Sequence, residues 1–264
     1  MKITNKMNLP LAFVEMAKSD YTPTPKRYSA TALLKGIREV ILERRHGEEI
    51  EQDVSDMIWL LFGTAVHSVL EHQTEGATEF KETYVEMPVG DYKVSGRFDL
   101  YDAATQTITD YKTCSVWKVV HNDFDDWKKQ LLIYAAIMNY TGFPVKRGQI
   151  VAMMKDHSKS KAKFDPTYPQ FPVLQIRFDF SDKDFEGINA FIRERLMQIS
   201  AAEKLPDDEL PVCTLEERFN SGDKYAVMRK GRSPRGERGL KFPVDVIAQG
   251  VFRRSPRGER GLKW

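Results

Sequence analysis

Two short runs of the sequence carry residue types that can hold a hard cation and attack an ester. In TITDYKT the strand period of two puts Ile108, Asp110 and Lys112 on one face, so a carboxylate and an ammonium stand side by side. In the preceding VSGRFDLY, Val94, Phe98 and Leu100 share one face while Arg97 and Asp99 share the other. If the two strands are neighbours, Asp99, Asp110 and the carbonyl oxygen of Tyr111 can converge on one divalent ion, with Lys112 in reach of a phosphate or of the attacking water. Such a set suits hydrolysis of a phosphodiester, because a bound cation lowers the pKa of water and neutralises developing charge while the ammonium adds a point charge. A D-x-K pair alone is also what an exposed, weakly stabilising ion pair on a sheet face looks like.

Two helical pieces add to this. In GTAVH, His67 lies off the face of Ile58, Phe62, Ala65 and Val69, and Gly63 one turn earlier leaves room for another element. The imidazole there can complete a metal shell, although a single helical histidine is more often structural. In QLLIY, Gln130 and Tyr134 project from one helical face and can bond phosphate or water; equally, Tyr134 can fill the core with Gln130 at its edge.

The elements that must position these residues read as a mixed α/β fold. Residues 1–50 form a helical lead-in, with Ser29 or Thr31 capping a helix that runs to residue 44 and carries Leu33, Leu34, Ile37 and Ile41. Beyond the charged HGEEIEQD, a helix over 55–72 is apolar on nearly all sides, which predicts a place between layers. Strands over 80–87, 92–101 and 106–113, separated by turn residues, predict a β-meander. A helix over 125–140, stopped by Gly142 and Pro144, precedes a strand over 149–154. After a Lys/Ser-rich loop over 155–163 come a strand over 173–180 and a helix over 181–204, the latter with Phe185, Ile188, Ile192, Leu196 and Ile199 at a 3.6 period. Residues 51–204 form the core and 205–264 an appendage, with a short strand near 225–228. There the decapeptide RSPRGERGLK occurs twice, at 232–241 and 254–263, too few copies for a solenoid. A duplicated nucleic-acid-binding arm and a sequence accident both remain open.

With 264 residues, 41% of them apolar, the chain can bury a proper core. Its longest apolar runs, at 57–62 and 131–138, fall far short of the ~18 residues of a membrane helix, and the N-terminus lacks a signal-peptide h-region. A cytoplasmic protein without membrane contact is expected. Cys114 and Cys213 cannot supply a four-thiolate site and read as free thiols, so no iron–sulfur cluster is expected. The net charge of +2 hides an asymmetry: residues 229–264 hold 11 Lys/Arg against 3 Asp/Glu, out of 40 and 38 in the chain. A basic tail suits a polyanionic partner or is simply solvated.

In order, G-x-x-x-H, G-R-F-D, D-x-K and Q-x-x-x-Y resemble the RecB-type branch of the PD-(D/E)XK nucleases over residues 27–204. Within that branch the chain is similar to bacteriophage-encoded exonucleases related to the CRISPR-associated RecB-like nucleases, a likeness that YSATALLKGIR, DVSDMIWLLFGTAVH, KDHSKSKA and CTLEERF extend. The resemblance implies a restriction-endonuclease-like core, a central mixed sheet flanked by helices. It implies His67, Asp99 and Asp110 as metal ligands, Lys112 as catalytic, and Gln130 and Tyr134 as positioning the substrate or the lysine. The chain departs from many relatives in lacking four cluster cysteines, in having Asp110 where Glu is common, and in its course beyond the KYAVMRKG segment.

The activity implied is a Mg2+- or Mn2+-dependent DNA exonuclease working at strand ends in phage recombination, repair or DNA processing, in the host cytoplasm if phage-encoded. A nicking or structure-dependent endonuclease with the same site, and a non-cleaving nucleic-acid-binding protein on the same fold, are the alternatives. Lys159, Lys161, Lys163 and Arg97 are candidate phosphate contacts, and Trp117, Trp127 and Phe124 are candidates for base stacking or for core packing.

Overall fold

The computed structural model describes residues 1–18, 23–72, 76–215, 217, 225–227 and 251–253. The chain divides into two units, Met1–Val212 and Cys213–Trp264. In chain order the first unit holds β1 (Lys2–Thr4), α1 (Leu11–Ala17), β2 (Arg27–Ser29), α2 (Ala30–Leu34), α3 (Ile37–His46), β3 (Glu51–Asp53), a 3-10 turn (Val54–Met57) and α4 (Ile58–Glu71). It continues with β4 (Glu79–Val89), β5 (Tyr92–Asp102), β6 (Thr107–Cys114), α5 (Val116–Val120), α6 (Asp125–Tyr140), β7 (Arg147–Met154), α7 (Lys159–Phe164), β8 (Val173–Asp179) and α8 (Asp182–Ala202). In the second unit β9 (Tyr225–Val227) pairs antiparallel with β10 (Val251–Arg253). Both copies of RSPRGERGLK lie outside the described residues.

Six strands form one mixed sheet around β5. Gly90, at φ +59, is the first of two residues joining β4 to β5, and positive φ at that position is what a type II′ hairpin turn asks of glycine. This turn pairs β4 with β5 along their whole length, from Val89↔Tyr92 to Glu79↔Asp102. The other edge of β5 is shared. Its start pairs with β2 in parallel, Arg27↔Lys93 to Ser29↔Ser95, and its end pairs with β6 antiparallel, Leu100↔Thr109 to Asp102↔Thr107. Parallel β7 then lies beside β6, and antiparallel β8 beside β7.

Helices cover both faces. Lys112 reaches α6 while the adjacent Thr113 meets Gly63 of α4, and successive strand residues point to opposite sides, so α6 and α4 lie on opposite faces of the sheet. A mixed central sheet flanked by helices is the architecture implied by the motif resemblance. The main core lies on the α6 side, where α2, α3 and α8 add Leu33, Ile41, Ile188 and Ile192 to the layer. A smaller cluster of Ala17, Val54, Met57 and Leu61 seats the start of α4 on the N-terminal segments. Among the described residues, no helix is long and apolar enough to cross a membrane.

Several elements differ from the sequence expectation. The lead-in holds two short strands besides its helices, and β2 belongs to the main sheet. The helix expected from residue 29 to 44 is broken: Ser29 does cap α2, but Lys35 is extended at ψ 163 and Gly36 starts α3 afresh. The residues expected to begin the next helix form a 3-10 turn whose cap is Asp53. That helix, α4, is not sandwiched, for Trp59, Leu60, Phe62 and Val69 are exposed. The helix packed on all sides is α6, every residue of which from Gln130 to Met138 is buried. An apolar circumference states what a helix could bury, while the number of covering layers decides what it does bury. The Lys/Ser-rich loop contains α7, capped by Ser158.

Candidate active site

The hairpin register brings three carboxylates into one row. Lys81↔Leu100 and Thr83↔Phe98 flank a single step of the β4–β5 ladder, at which Glu82 stands opposite Asp99. On the other edge of β5 the last pair is Leu100↔Thr109, so Asp110 stands opposite Asp99 one step beyond the point where β5 and β6 part. Glu82 takes φ +42, a left-handed conformation uncommon for a side chain of its size. The expected alternation along β5 therefore holds only as far as Phe98. Val94 and Phe98 face the core, but beyond the step Tyr101 is the buried residue, and Leu100 lines a hollow on the other face with Thr107 and Thr109. Two like charges directly opposite one another destabilise a ladder, which is the arrangement a cation would relieve.

Asp99 lies in the gap between the parting strands. Its Oδ2 accepts the Tyr111 N–H at 2.7 Å, a donor that a continued ladder would have given to a strand carbonyl. In an extended strand the N–H and C=O of one residue point the same way, so the Tyr111 carbonyl is directed into that gap as well. From α4, His67 Nδ1 comes within 3.4 Å of Asp99 Oδ1 and 3.9 Å of Glu82 Oε1. His67, Glu82 and Asp99 each offer a ligand atom within 4.8 Å of the others. The Asp99 carboxylate favours protonated His67 and raises its pKa, against an opposing effect of burial.

Asp110 and Lys112 sit together, facing α6. Lys112 Nζ is 2.8 Å from Asp110 Oδ2 and donates to Oδ1 at 3.2 Å and to Gln130 Oε1 at 3.0 Å. Gln130 Nε2 in turn donates to the Tyr134 hydroxyl at 3.0 Å. The Tyr134 ring lies against Gly96, where a β-carbon would be 2.3 Å from Cε1. Only glycine lets it in. Burial pushes the Asp110 carboxyl above the usual range and the charge of Asp99 adds to this, while Lys112 opposes it. Although the ammonium is close, Asp110 Oδ2 is buried and accepts no hydrogen bond among the described residues. A buried oxygen with spare acceptor capacity, two more carboxylates in register, an imidazole and an inward carbonyl fit a hard divalent cation.

The expected residues thus divide. His67 and the Tyr111 N–H contact Asp99, while Lys112 links Asp110 to Gln130 and, through it, to Tyr134; the two sets adjoin where Asp110 precedes Tyr111 on β6, and Asp110 lies outside the set of His67, Glu82 and Asp99 whose ligand atoms fall within 4.8 Å of one another. Arg97 is exposed but donates to the Glu82 carbonyl at 2.9 Å, propping the step at which Glu82 takes positive φ. Lys159, Lys161 and Lys163 are exposed on α7, with Lys161 Nζ 6.0 Å from the Trp117 ring. Trp127 and Phe124 are buried and stacked at 5.5 Å, whereas Trp117 is 53% exposed. Glu82 escaped the sequence reading. The signal was present, since a two-residue turn at Gly90-Asp91 fixes which residue of β4 opposes Asp99.

A mixed sheet whose parting strands carry a row of carboxylates beside a lysine is the frame of a metal-dependent phosphodiester hydrolase. Residues 15–215 match the model of the PD-(D/E)XK nuclease superfamily, and the chain belongs to that family, whose members use divalent metals. Among solved structures, the chain is similar to SSO0001 at 18% identity and TM-score 0.49, covering 67% of this chain and 79% of that one. It is also similar to LHK-Exo, an alkaline exonuclease from Laribacter hongkongensis solved in complex with dAMP, at 14% identity and TM-score 0.41, covering 66% and 87%. A phage-related exonuclease from Haemophilus somnus 129PT matches at 11% identity and TM-score 0.37, covering 66% and 95%. Comparison with curated proteins gives no match.

Proposed function

We propose that the chain is a Mg2+- or Mn2+-dependent deoxyribonuclease that degrades DNA from strand ends. The support for hydrolysis is the row of Glu82, Asp99 and Asp110 at the gap between β5 and β6, with Lys112 held at its side. Asp99, Asp110, His67 and the Tyr111 carbonyl are the residues that would hold the metal, with Glu82 completing the charge. A divalent cation bound there supplies a water of lowered pKa and positive charge at the phosphate. Lys112, charged and aimed by Gln130 and Tyr134, stabilises the negative charge that develops on the phosphate oxygens. An imidazole among hard oxygens suits Mn2+ at least as well as Mg2+. The strand-end mode and a place in phage recombination, repair or DNA processing rest on the resemblance of the four motifs.

Incubating linear and covalently closed DNA with Mn2+, with and without chelator, tests the reading. Loss of linear DNA with circles intact is expected. Nicked circles would make it an endonuclease, and a mobility shift without cleavage a binding protein. Asp110→Ala and Lys112→Ala should abolish the loss; variants as active as wild type would refute the assignment of the site.

A further inference from the structure

Beside His67, on the α4 face of the sheet, an open hollow of about 510 Å³ is lined by Trp59, Gly63, Thr64, His67, Thr113 and Lys155. His67, which lines the hollow, also lies 3.4 Å from Asp99, so that one side chain separates the hollow from the carboxylate row. Its wall is apolar and uncovered: Trp59 is 58% exposed and is braced edge-on by Phe62 at 6.2 Å. Lys155 Nζ lies 4.7 Å from the centre of the Trp59 ring. At the floor, Gly63 comes so close to Thr113 that a β-carbon would meet Oγ1 at 3.3 Å, and any larger side chain would fill the space.

We infer that this hollow receives an unpaired nucleobase of the substrate, stacked on Trp59, with the neighbouring backbone phosphate at Lys155. The inference rests on the nuclease reading above. A flat aromatic wall next to a mobile ammonium matches the base-and-phosphate repeat of a single strand, and stacking on an aromatic is tolerant of base identity. Inside a duplex the base faces are covered by their neighbours and even a blunt end exposes only the outer face of its last pair, so an unpaired or splayed base uses the wall in preference to a paired one. Lys155 sits over the ring in the free protein, and its four-carbon stem lets it swing aside to a phosphate as the base enters.

Binding of labelled oligo(dT) and of a blunt duplex of equal length, measured by fluorescence anisotropy with the full chain in chelator, tests this without any cleavage. Trp59→Ala should weaken oligo(dT) by about 5-fold or more, as expected for losing one stacked base, while leaving the duplex unchanged and the melting temperature near that of wild type. Trp59→Phe should retain most of the affinity, and Lys155→Met should flatten the salt dependence for the single strand by about 0.7 in log–log slope. Unchanged oligo(dT) affinity in Trp59→Ala, or an equal loss for both ligands, overturns the inference. So does a change in sedimentation, which would make the wall a self-association surface. Absence of cleavage with Mn2+ alongside the expected single-strand selectivity would remove the nuclease reading and leave the base site standing.

Discussion

A single methyl group at Gly96 should disable the lysine from across the sheet. In Gly96→Ala the new β-carbon would fall 2.3 Å from Tyr134 Cε1 and 2.7 Å from Cδ1, where ordinary contact begins at 3.4 Å. The ring must therefore withdraw by about 1 Å within a close-packed layer, for Tyr134 is buried, as is every α6 residue from Gln130 to Met138. Overpacking of this kind costs about 1–3 kcal/mol, and each kcal/mol lowers the melting temperature of a domain this size by roughly 2–4 °C. The consequence for chemistry should exceed that for stability. Tyr134 holds Gln130, and Gln130 holds Lys112, each at 3.0 Å, so the displacement passes to the ammonium. A misplacement of about 1 Å at a reacting group costs on the order of 100-fold in rate. Nuclease assays on linear DNA and thermal melts of Gly96→Ala would read both effects. Gly187→Ala is the matched control, because nothing lies within 4 Å of its β-carbon position in α8; there the substitution should stabilise by up to about 1 kcal/mol. Wild-type kcat/KM in Gly96→Ala would refute this coupling, as would an equal stability loss in a Tyr134→Ala background, where the clash is gone.

Three more perturbations probe the charges and rings around the site. Asp110 carries a raised carboxyl pKa, so the folded state holds its proton more tightly than the unfolded chain; stability contributed at low pH is lost as pH rises through the raised value. His67, also raised, loses its contribution over a higher window, above the ordinary histidine value of about 6.5. Metal-free protein should therefore melt at lower temperature at pH 8 than at pH 5, and Asp110→Asn should flatten the lower part of that fall; a melting temperature that rises over this range in chelator contradicts the assignment. Glu82→Gln removes one of two opposed carboxylates, so it should raise the melting temperature in chelator and shrink the increase seen on adding Mn2+. An undiminished Mn2+ shift would place Glu82 outside the metal shell. Trp127→Ala should cost about 3–5 kcal/mol by urea unfolding, whereas Trp117→Ala, at an exposed ring, should stay within about 0.5 kcal/mol.

Much of the site was legible because its parts obey short-range rules. Strand alternation placed Asp110 beside Lys112, helical spacing placed Gln130 beside Tyr134, and Gly142 and Pro144 marked the end of α6 at Tyr140. What could not be read required knowing which neighbour lies on which side. The apolar runs of α4 and α6 look alike as sequence, yet α6 is enclosed while Trp59 and Leu60 of α4 are exposed, a difference set by which described elements pack on each helix and not by the helix itself. Lys35-Gly36 breaks a helix whose apolar spacing runs straight through it. The change of face at Asp99 depends on a backbone step at Glu82, and Glu is not a residue whose type announces positive φ.

The sharing of one strand edge explains why a metal site can exist here at all. On the edge of β5 that faces β6, residues 93–95 are paired with β2 and residues 100–102 with β6, so the intervening G-R-F-D stretch faces a break in the ladder. Backbone donors and acceptors bordering such a break must be satisfied by something other than a strand. Asp99 supplies a carboxylate to the Tyr111 N–H, and the carbonyl of the same residue, turned the same way, is left for a cation. Had β6 continued alongside β5 past Thr109, the ladder would have consumed both groups, and Asp110 would oppose Asp99 at closed-strand distance with no space between them for an ion. On its other side the break is closed by β2, which takes the same edge at residues 93–95. Three residues of the lead-in, Arg27–Ser29, remote in sequence from every chemical motif, therefore belong to the construction of the site.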